Sequence, residues 1–146
     1  MKIAIASDHG GYDMKEALIK HYAAEDIILN DLGTKSAESV DYPDYAELMS
    51  KEILSGKADL GILICGTGIG ISIAANRYKG IRAAILYSNE VAALARRHNN
   101  ANIAVFGGRT MAVEEAVERF DIFLKTEFEG GRHSRRIGKM DEYGEC

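Results

Sequence analysis

The stretch that decides the fold is residues 60–75, LGILICGTGIGISIAA. It begins with an uninterrupted apolar run, Leu60–Cys65, which lacks the polar alternation of a strand that faces water on one side. Three alternate glycines follow at 66, 68 and 70, and the residues Ile69–Ala75 then predict a helix. A buried strand, a glycine turn and a helix in this order predict one unit of a parallel sheet.

The same unit recurs along the chain. Short β-branched runs alternate with helical patterns from one end to the other, and each predicted strand is followed by a helix. We therefore predict an α/β fold: a single Rossmann-like domain with a five-stranded parallel sheet, right-handed crossovers and helices on both faces. The predicted strands are residues 2–7, 27–31, 60–65, 82–86 and 102–106.

Capping residues predict where several helices begin. Asp13 with Glu16, and Asp44 with Glu47, have the spacing of a capping box, and Ser88 is a suitable N-cap. A further helix is predicted to begin at Thr110. Its apolar face would consist of Val113, Val117, Phe120, Leu124 and Phe128.

Composition narrows the class of protein. The 146 residues suit one domain, 1–146, and 18 Lys and Arg stand against 22 Asp and Glu, a net charge of −4 that favours neither nucleic acid nor an anionic membrane. The N-terminal apolar run is too short for a signal peptide, and the uncharged run 60–76 is broken by glycines, so we expect a cytoplasmic protein. Two cysteines make no disulfide framework, and the scattered histidines show no zinc-ligand spacing.

The C-terminal tail, 130–146, is polar and charged. We predict a short helix after Gly131 and expect the tail to stay off the core. Within it, Arg132 and Arg136 would share one helix face and suit bidentate phosphate binding, with Arg135 turned away. The alternative for each is a solvated surface arginine.

Residues that could take part in catalysis or binding follow the predicted strands. In parallel sheets of this type, ligands bind beyond the carboxyl ends of the strands. An acid, a thiol, hydroxyls, histidines and arginines occupy these places, so we expect them to converge on one edge. They lie in the segments 7–11, 65–70 and 107–109, and in 97–100, which follows the fourth helix.

The alternate glycines at 66, 68 and 70 would let backbone N–H groups point together at an anionic oxygen. The alternative is a tight turn that needs glycine for backbone reasons alone. Ile71 stands where a dinucleotide-binding loop has its third glycine, so nucleotide binding is poorly supported.

Five side chains near these loops each have a chemical and a structural interpretation. Cys65 could be an activated base or nucleophile, or a buried core cysteine. Thr67 could relay a proton or cap a helix. Asp8 with His9 could be a chemical pair, or a helix cap beside a surface histidine, and His98 could simply be favoured at a helix C-terminus.

Seven segments carry one recognisable pattern: SDHGG (7–11), DYP (41–43), GILICGTGIGISIAAN (61–76), GIRAA (80–84), HN (98–99), FGGR (106–109) and EGGRH (129–133). Together they resemble the ribose-5-phosphate isomerase type B family over nearly the whole chain. Galactose-6-phosphate isomerase subunits and allose-6-phosphate isomerases belong to the same superfamily. Arg109, Arg132 and the intact Cys65 are more similar to the ribose enzymes than to the galactose enzymes.

The resemblance implies an aldose–ketose isomerase that interconverts D-ribose 5-phosphate and D-ribulose 5-phosphate through a cis-enediolate, with neither cofactor nor metal. It implies that Cys65 is the base, that Thr67 assists proton transfer at O1 and O2, and that His98 with Asp8 opens the furanose ring. The implied anion hole comprises Gly66, Thr67, Gly68, Ile69 and Gly70. The implied phosphate ligands are His9, Arg109, Arg132 and Arg136, and the implied sugar contacts are Tyr42 and Asn99.

The resemblance also implies a homodimer or a tetramer with the active site at a subunit interface. The segment around His98 and Arg109 would face a neighbour's Cys65 loop, and the tail would lie on the partner. Two alternatives remain open from the sequence. One is an isomerase of allose 6-phosphate or galactose 6-phosphate, and the other is a sugar-phosphate sensor without turnover.

Overall fold

The computed structural model describes residues 1–143 and contains one five-stranded sheet. The strand order is β2-β1-β3-β5-β4, and every neighbouring pair is parallel. The five predicted strands are confirmed, with ends that differ by no more than two residues. The strands are β1 (Ile3–Ser7), β2 (Leu29–Asp31), β3 (Leu60–Cys65), β4 (Ala83–Ile85) and β5 (Ile103–Gly107).

Each strand is followed by a helix, and one more helix lies near the C-terminus. A 3₁₀ turn, His9–Gly11, precedes the first helix. The helices are α1 (Tyr12–Ala23), α2 (Tyr42–Leu54), α3 (Ile69–Ala75), α4 (Asn89–Arg97), α5 (Val113–Lys125) and α6 (Arg132–Glu142). No helix within residues 1–143 has the length and apolar character to cross a membrane.

Helices cover both faces of the sheet, as predicted. On one face, α1, α4 and α5 bury an aromatic core around Tyr22, Phe106 and Phe120. On the other face, α2 and α3 bury a smaller core around Met49 and Ile71. Because both faces are covered, the strands consist of continuous apolar runs, which is the pattern that made them recognisable.

Ser88 is confirmed as an N-cap, since its hydroxyl accepts a hydrogen bond from Val91 N–H (3.1 Å). The predicted capping boxes at Asp13 and Asp44 are wrong, because both residues lie inside the first turn of their helices. The chain has already turned before α1, where the Asp8 carboxylate caps the 3₁₀ turn. Helix α2 begins one residue before Pro43, a place where proline's missing N–H costs nothing.

The predicted start of α5 at Thr110 is also wrong. Thr110 N–H donates to Gly107 O in the turn after β5, and the helix begins at Val113. The Glu115 carboxylate accepts from Ala112 N–H (2.9 Å) and fixes that start. Since α5 ends at Lys125, Phe128 does not belong to its apolar face.

The helix predicted after Gly131 is confirmed as α6. The expectation that the tail stays off the core is only partly right, because His133 and Ile137 are buried against their own chain. The exposed residues of α6 include Arg132, Arg135 and Arg136. Cys146 lies outside the described residues.

Candidate active site

The carboxyl edge of the sheet has a crevice between β1 and β3. The chain leaves β1 toward β2 on one side and returns to β3 on the other, so the connections diverge at this point. Such a switch point is where open α/β sheets bind ligands. The loops that follow these two strands carry Asp8 and Cys65.

Asp8 is buried at the end of β1. One carboxylate oxygen accepts hydrogen bonds from Gly10 N–H (2.9 Å) and Gly11 N–H (3.2 Å), and Asp8 N–H donates to Ile64 O on β3 (3.2 Å). The capping interpretation of Asp8 is therefore confirmed. The same bonds fix the carboxylate at the crevice, where a second, chemical role stays a prediction.

His9 projects from the next position and is half-buried. Its Nδ1 accepts a hydrogen bond from Val40 N–H (3.2 Å). A ring nitrogen that accepts carries no proton, so in the neutral imidazole the proton lies on Nε2. His9 therefore presents an N–H donor away from Val40, which suits an anionic or hydroxyl ligand.

Cys65 ends β3 and is 5% exposed. Its Sγ accepts a hydrogen bond from Gly68 N–H (3.2 Å). A backbone donor at this position stabilises negative charge on sulfur. Gly68 reaches the sulfur because its φ is +83°, a left-handed conformation that favours glycine.

Three loops meet at the crevice through their glycines. A Cβ on Gly10 would lie 3.0 Å from Gly66 N, and one on Gly108 would collide with Gly10 O. A Cβ on Gly66 would lie 3.4 Å from a terminal nitrogen of Arg109. The absent side chains therefore let the loops after β1, β3 and β5 pack backbone against backbone. This packing is compatible both with a tight turn that needs glycine and with a loop whose N–H groups bind an anion.

Thr67 and Tyr42 complete this side of the site. The Thr67 hydroxyl accepts from Ile69 N–H (3.2 Å), but the N-cap of α3 is Gly68, so the expectation that Thr67 itself caps this helix is wrong. The Tyr42 ring lies over Gly70, where a Cβ would be 2.6 Å from Cζ. Tyr42, far from this loop in sequence, thus lies beside it in the fold.

Arg109 belongs to the same edge. Its N–H donates to Gly66 O (2.9 Å), and its guanidinium lies against the Gly66 backbone of the same chain. The expectation that Arg109 faces a neighbour's Cys65 loop together with His98 is therefore wrong for Arg109, which lies beside the Cys65 loop of its own chain.

His98 lies at the opposite, amino edge of the sheet, so the expectation of convergence on one edge is wrong. Helix α4 carries the chain back from the end of β4 to the beginning of β5, and His98 is its C-cap. Arg82, just before β4, donates through Nε to Asn100 O (3.0 Å), which marks this edge. Asn99 and the tail arginines Arg132 and Arg136 belong to the same region.

The amino edge carries a second cluster of polar side chains. The rings of His98 and His133 stack with centroids 4.4 Å apart, and His98 Nε2 lies 4.0 Å from Glu129 Oε2. Glu129 is held by its N–H, which donates to Arg97 O (3.0 Å). Burial, with the nearby His98 and the arginines of α6, lowers the pKa of His133 below its usual range.

Glu129 and His133 were missed as functional candidates. In the sequence they belong only to the EGGRH segment, because neither residue has the spacing along the chain that is typical of a metal or catalytic site. Their meeting with His98 joins the end of α4, the loop before α6 and the first turn of α6. Only the tertiary fold brings these elements together.

Cavities flank the two clusters. One of about 410 Å³ adjoins Thr67 and Ile69 at the carboxyl edge. Another of about 440 Å³ lies at the amino edge beside Asn99, between α6 and residues 76–84. Cys65 lines neither cavity.

Comparison with known proteins identifies relatives over almost the whole length. The family model described as ribose/galactose isomerase matches residues 3–140. The Escherichia coli protein named ribose-5-phosphate isomerase B is 43% identical over 136 residues, which cover 93% of this chain and 91% of that protein.

Solved structures agree with the fold. A crystal structure of a ribose 5-phosphate isomerase from Thermotoga maritima is 56% identical, with a TM-score of 0.95 and 97% of both chains covered. The crystal structure of ribose-5-phosphate isomerase B from Mycoplasma genitalium, which contains bound ribulose 5-phosphate, is 44% identical with a TM-score of 0.91. The match covers 97% of this chain and 95% of the Mycoplasma genitalium chain.

Proposed function

The chain belongs to the ribose/galactose isomerase family, and on that premise we propose that it interconverts D-ribose 5-phosphate and D-ribulose 5-phosphate with Cys65 as the base. The observation that carries the proposal is the position of Cys65 Sγ at the strand end, 3.2 Å from Gly68 N–H. A thiolate held there can accept a proton within a ring of backbone donors. These are the features that enediolate chemistry needs.

The reaction proceeds in two proton transfers. The Cys65 thiolate removes the C2 proton of the open-chain aldose. The electron pair of that C–H bond forms the C1–C2 double bond of the cis-enediolate, and the π pair of the C1 carbonyl moves onto O1. The resulting thiol then returns a proton to C1 while a proton moves from O2 to O1, a transfer that the proposal assigns to the Thr67 hydroxyl. The amides of Gly66, Thr67 and Gly70 stabilise the enediolate oxygens, while those of Gly68 and Ile69 hold Cys65 Sγ and the Thr67 hydroxyl.

The phosphate and the sugar are held by side chains from both edges of the sheet. At the carboxyl edge, His9 offers its Nε2–H, Arg109 a guanidinium and Tyr42 a phenol. At the amino edge, Arg132 and Arg136 offer two further guanidiniums, and Asn99 an amide. Charge-assisted hydrogen bonds from arginine are the strong contacts to phosphate.

One chain cannot bring these two sets together, so we propose a homodimer, alone or within a tetramer, whose active sites combine the carboxyl edge of one subunit with the amino edge of the other. The proposal places His98 and Asp8 on opposite sides of the same furanose ring, which they open. Ile69 and Ile73, each 55% exposed on α3 beside the Cys65 loop, offer an apolar surface for the contact. In this arrangement, the tail lies on the partner subunit.

The substrate is a metabolite of the cell interior, which favours a cytoplasmic protein, as does the family's place in carbohydrate metabolism. The proposed chemistry uses protein groups only. Its test is therefore run in EDTA, with ribose 5-phosphate and, separately, allose 6-phosphate, and the ketose formed is measured for the wild type and Cys65→Ala.

Rapid conversion of the pentose by the wild type, and none by Cys65→Ala, is the expected result. Preference for the hexose phosphate would keep the mechanism and change the substrate. Binding of both sugars without turnover would overturn the proposal in favour of a sugar-phosphate sensor.

A further inference from the structure

We propose that His98, Glu129 and His133 form a binding site for a zinc ion at the amino edge of the sheet. Their ligand atoms lie within 4.8 Å of one another. Two imidazoles and one carboxylate are a donor set that zinc prefers, and a three-ligand site leaves a fourth position for water or another ligand.

A second observation points to a ligand. His133 is 6% exposed, and its Nε2 is buried with no hydrogen-bond partner among the described residues. Buried ring nitrogens are normally paired, and a buried polar atom without a partner is costly. A metal ion at the cluster would satisfy it.

The three ligand atoms are close together, but zinc binding requires one of the two imidazoles to rotate. The two rings are within 13° of parallel, so one must turn before both lone pairs point at a common ion. His98 is 37% exposed at a helix end and Glu129 is half-exposed, so both side chains adjoin solvent into which they can turn. Zinc–nitrogen bonds are about 2.0–2.1 Å long, so these adjustments amount to a side-chain rearrangement.

Occupation of the site would remove His98 from ring opening. That consequence rests on the proposed function, whereas zinc binding itself does not. Zinc bound there would therefore inhibit the proposed reaction, which is compatible with turnover in EDTA.

The test measures zinc binding by isothermal titration calorimetry on the metal-stripped, full-length protein, with Mg²⁺ as the comparison ion. One zinc ion per chain is expected. Glu129→Gln, a change at a half-exposed residue that the fold tolerates, should weaken binding about 100-fold, since even a partner that only orients a metal ligand contributes about 10–100-fold. His133→Asn should do the same.

His21→Asn is the matched control, because His21 also lies near a glutamate, 3.4 Å from Glu25, but has no third ligand beside it among the described residues. Its zinc affinity should equal that of the wild type. Cys65→Ala separates this site from a thiolate site, and it should keep both the affinity and the stoichiometry.

Cobalt substitution supplies an independent readout, since a site without sulfur gives no thiolate-to-metal charge-transfer band. Absence of stoichiometric zinc binding, or binding lost in Cys65→Ala and retained in Glu129→Gln, would overturn the proposal. A protein that binds zinc at this site but converts no pentose phosphate would overturn the proposed function alone.

Discussion

The two edges of the sheet carry polar clusters that are built in different ways. At the carboxyl edge, Asp8 and Cys65 follow their strands directly, are buried, and bond to loop amides. At the amino edge, His98, Glu129 and His133 come from a helix end, a loop and the last helix, and side-chain stacking holds the two rings together. One cluster is fixed by backbone, and the other by tertiary packing.

This difference indicates which part of the proposed chemistry each edge can provide. The carboxyl edge holds the proposed base, Cys65, beside the loop amides proposed to bind the anion. The amino edge holds His98 and the arginines of α6. Cys65 of the same chain lies at the opposite edge of the sheet, so these side chains cannot act on a substrate bound beside it. The proposed active site is therefore divided between two copies of the chain.

The largest effect should follow from removing the base at the carboxyl edge. Cys65→Ala should lower kcat by about 10²–10⁴-fold, the usual contribution of a positioned general base. Thermal unfolding should change little by comparison. Cys146→Ala is the control and should keep wild-type kinetics, and a Cys65→Ala protein with wild-type kcat would move the base to another residue.

A smaller effect is expected at the amino edge, where the arginines bind without taking part in the proton transfers. Arg132→Ala or Arg136→Ala should raise KM about 10- to 100-fold, because a hydrogen bond to a charged group contributes about 1.5–3 kcal/mol. Arg135→Ala is the comparison, since its side chain points about 100° away from that of Arg136 around the helix. Equal KM values for all three variants and the wild type would remove the tail from the phosphate site.

The smallest effect on catalysis should come from a charge at the carboxyl edge that only stabilises the fold. Asp31 accepts from Lys15 Nζ (2.9 Å), and the Lys15 side chain is fully buried. Asp31→Asn should lower the free energy of unfolding by about 3 kcal/mol, as for a broken buried ion pair, and leave kcat unchanged. Glu16, 2.7 Å from the same amine, limits the loss.

The pH dependence of that stability follows from the pKa of Asp31. Burial alone would raise it, but hydrogen bonds from Lys15, Gly33 and Lys35 outweigh burial and lower the pKa below 3.8. The unfolded state then binds more protons, so stability rises with pH across this window. In urea unfolding, the difference between the wild type and Asp31→Asn should be constant above about pH 5 and narrow as the pH falls through the folded-state value. A difference that widens on acidification would contradict this.

The sequence predicted the carboxyl edge of the sheet better than the amino edge. The strands were recognisable because burial on both faces leaves continuous apolar runs, and Asp8, Cys65 and Thr67 were found because they follow strands. The start of α1 was misplaced because Asp8, rather than Asp13, caps the turn that precedes it. His98 was assigned to the wrong edge, because helix α4 carries the chain back to the amino edge and His98 follows that helix. Glu129 was missed because its partner His98 is distant in sequence.

The most direct test of the divided site mixes two inactive variants. Cys65→Ala and His98→Asn are each purified, then combined under conditions that exchange subunits, and hybrid formation is confirmed by native mass spectrometry. Each hybrid dimer would carry one site with both changes and one intact site. Since random exchange places half of the dimers in the hybrid form, roughly a quarter of wild-type activity should return. Hybrids that form and remain as inactive as the two parents would contradict the account.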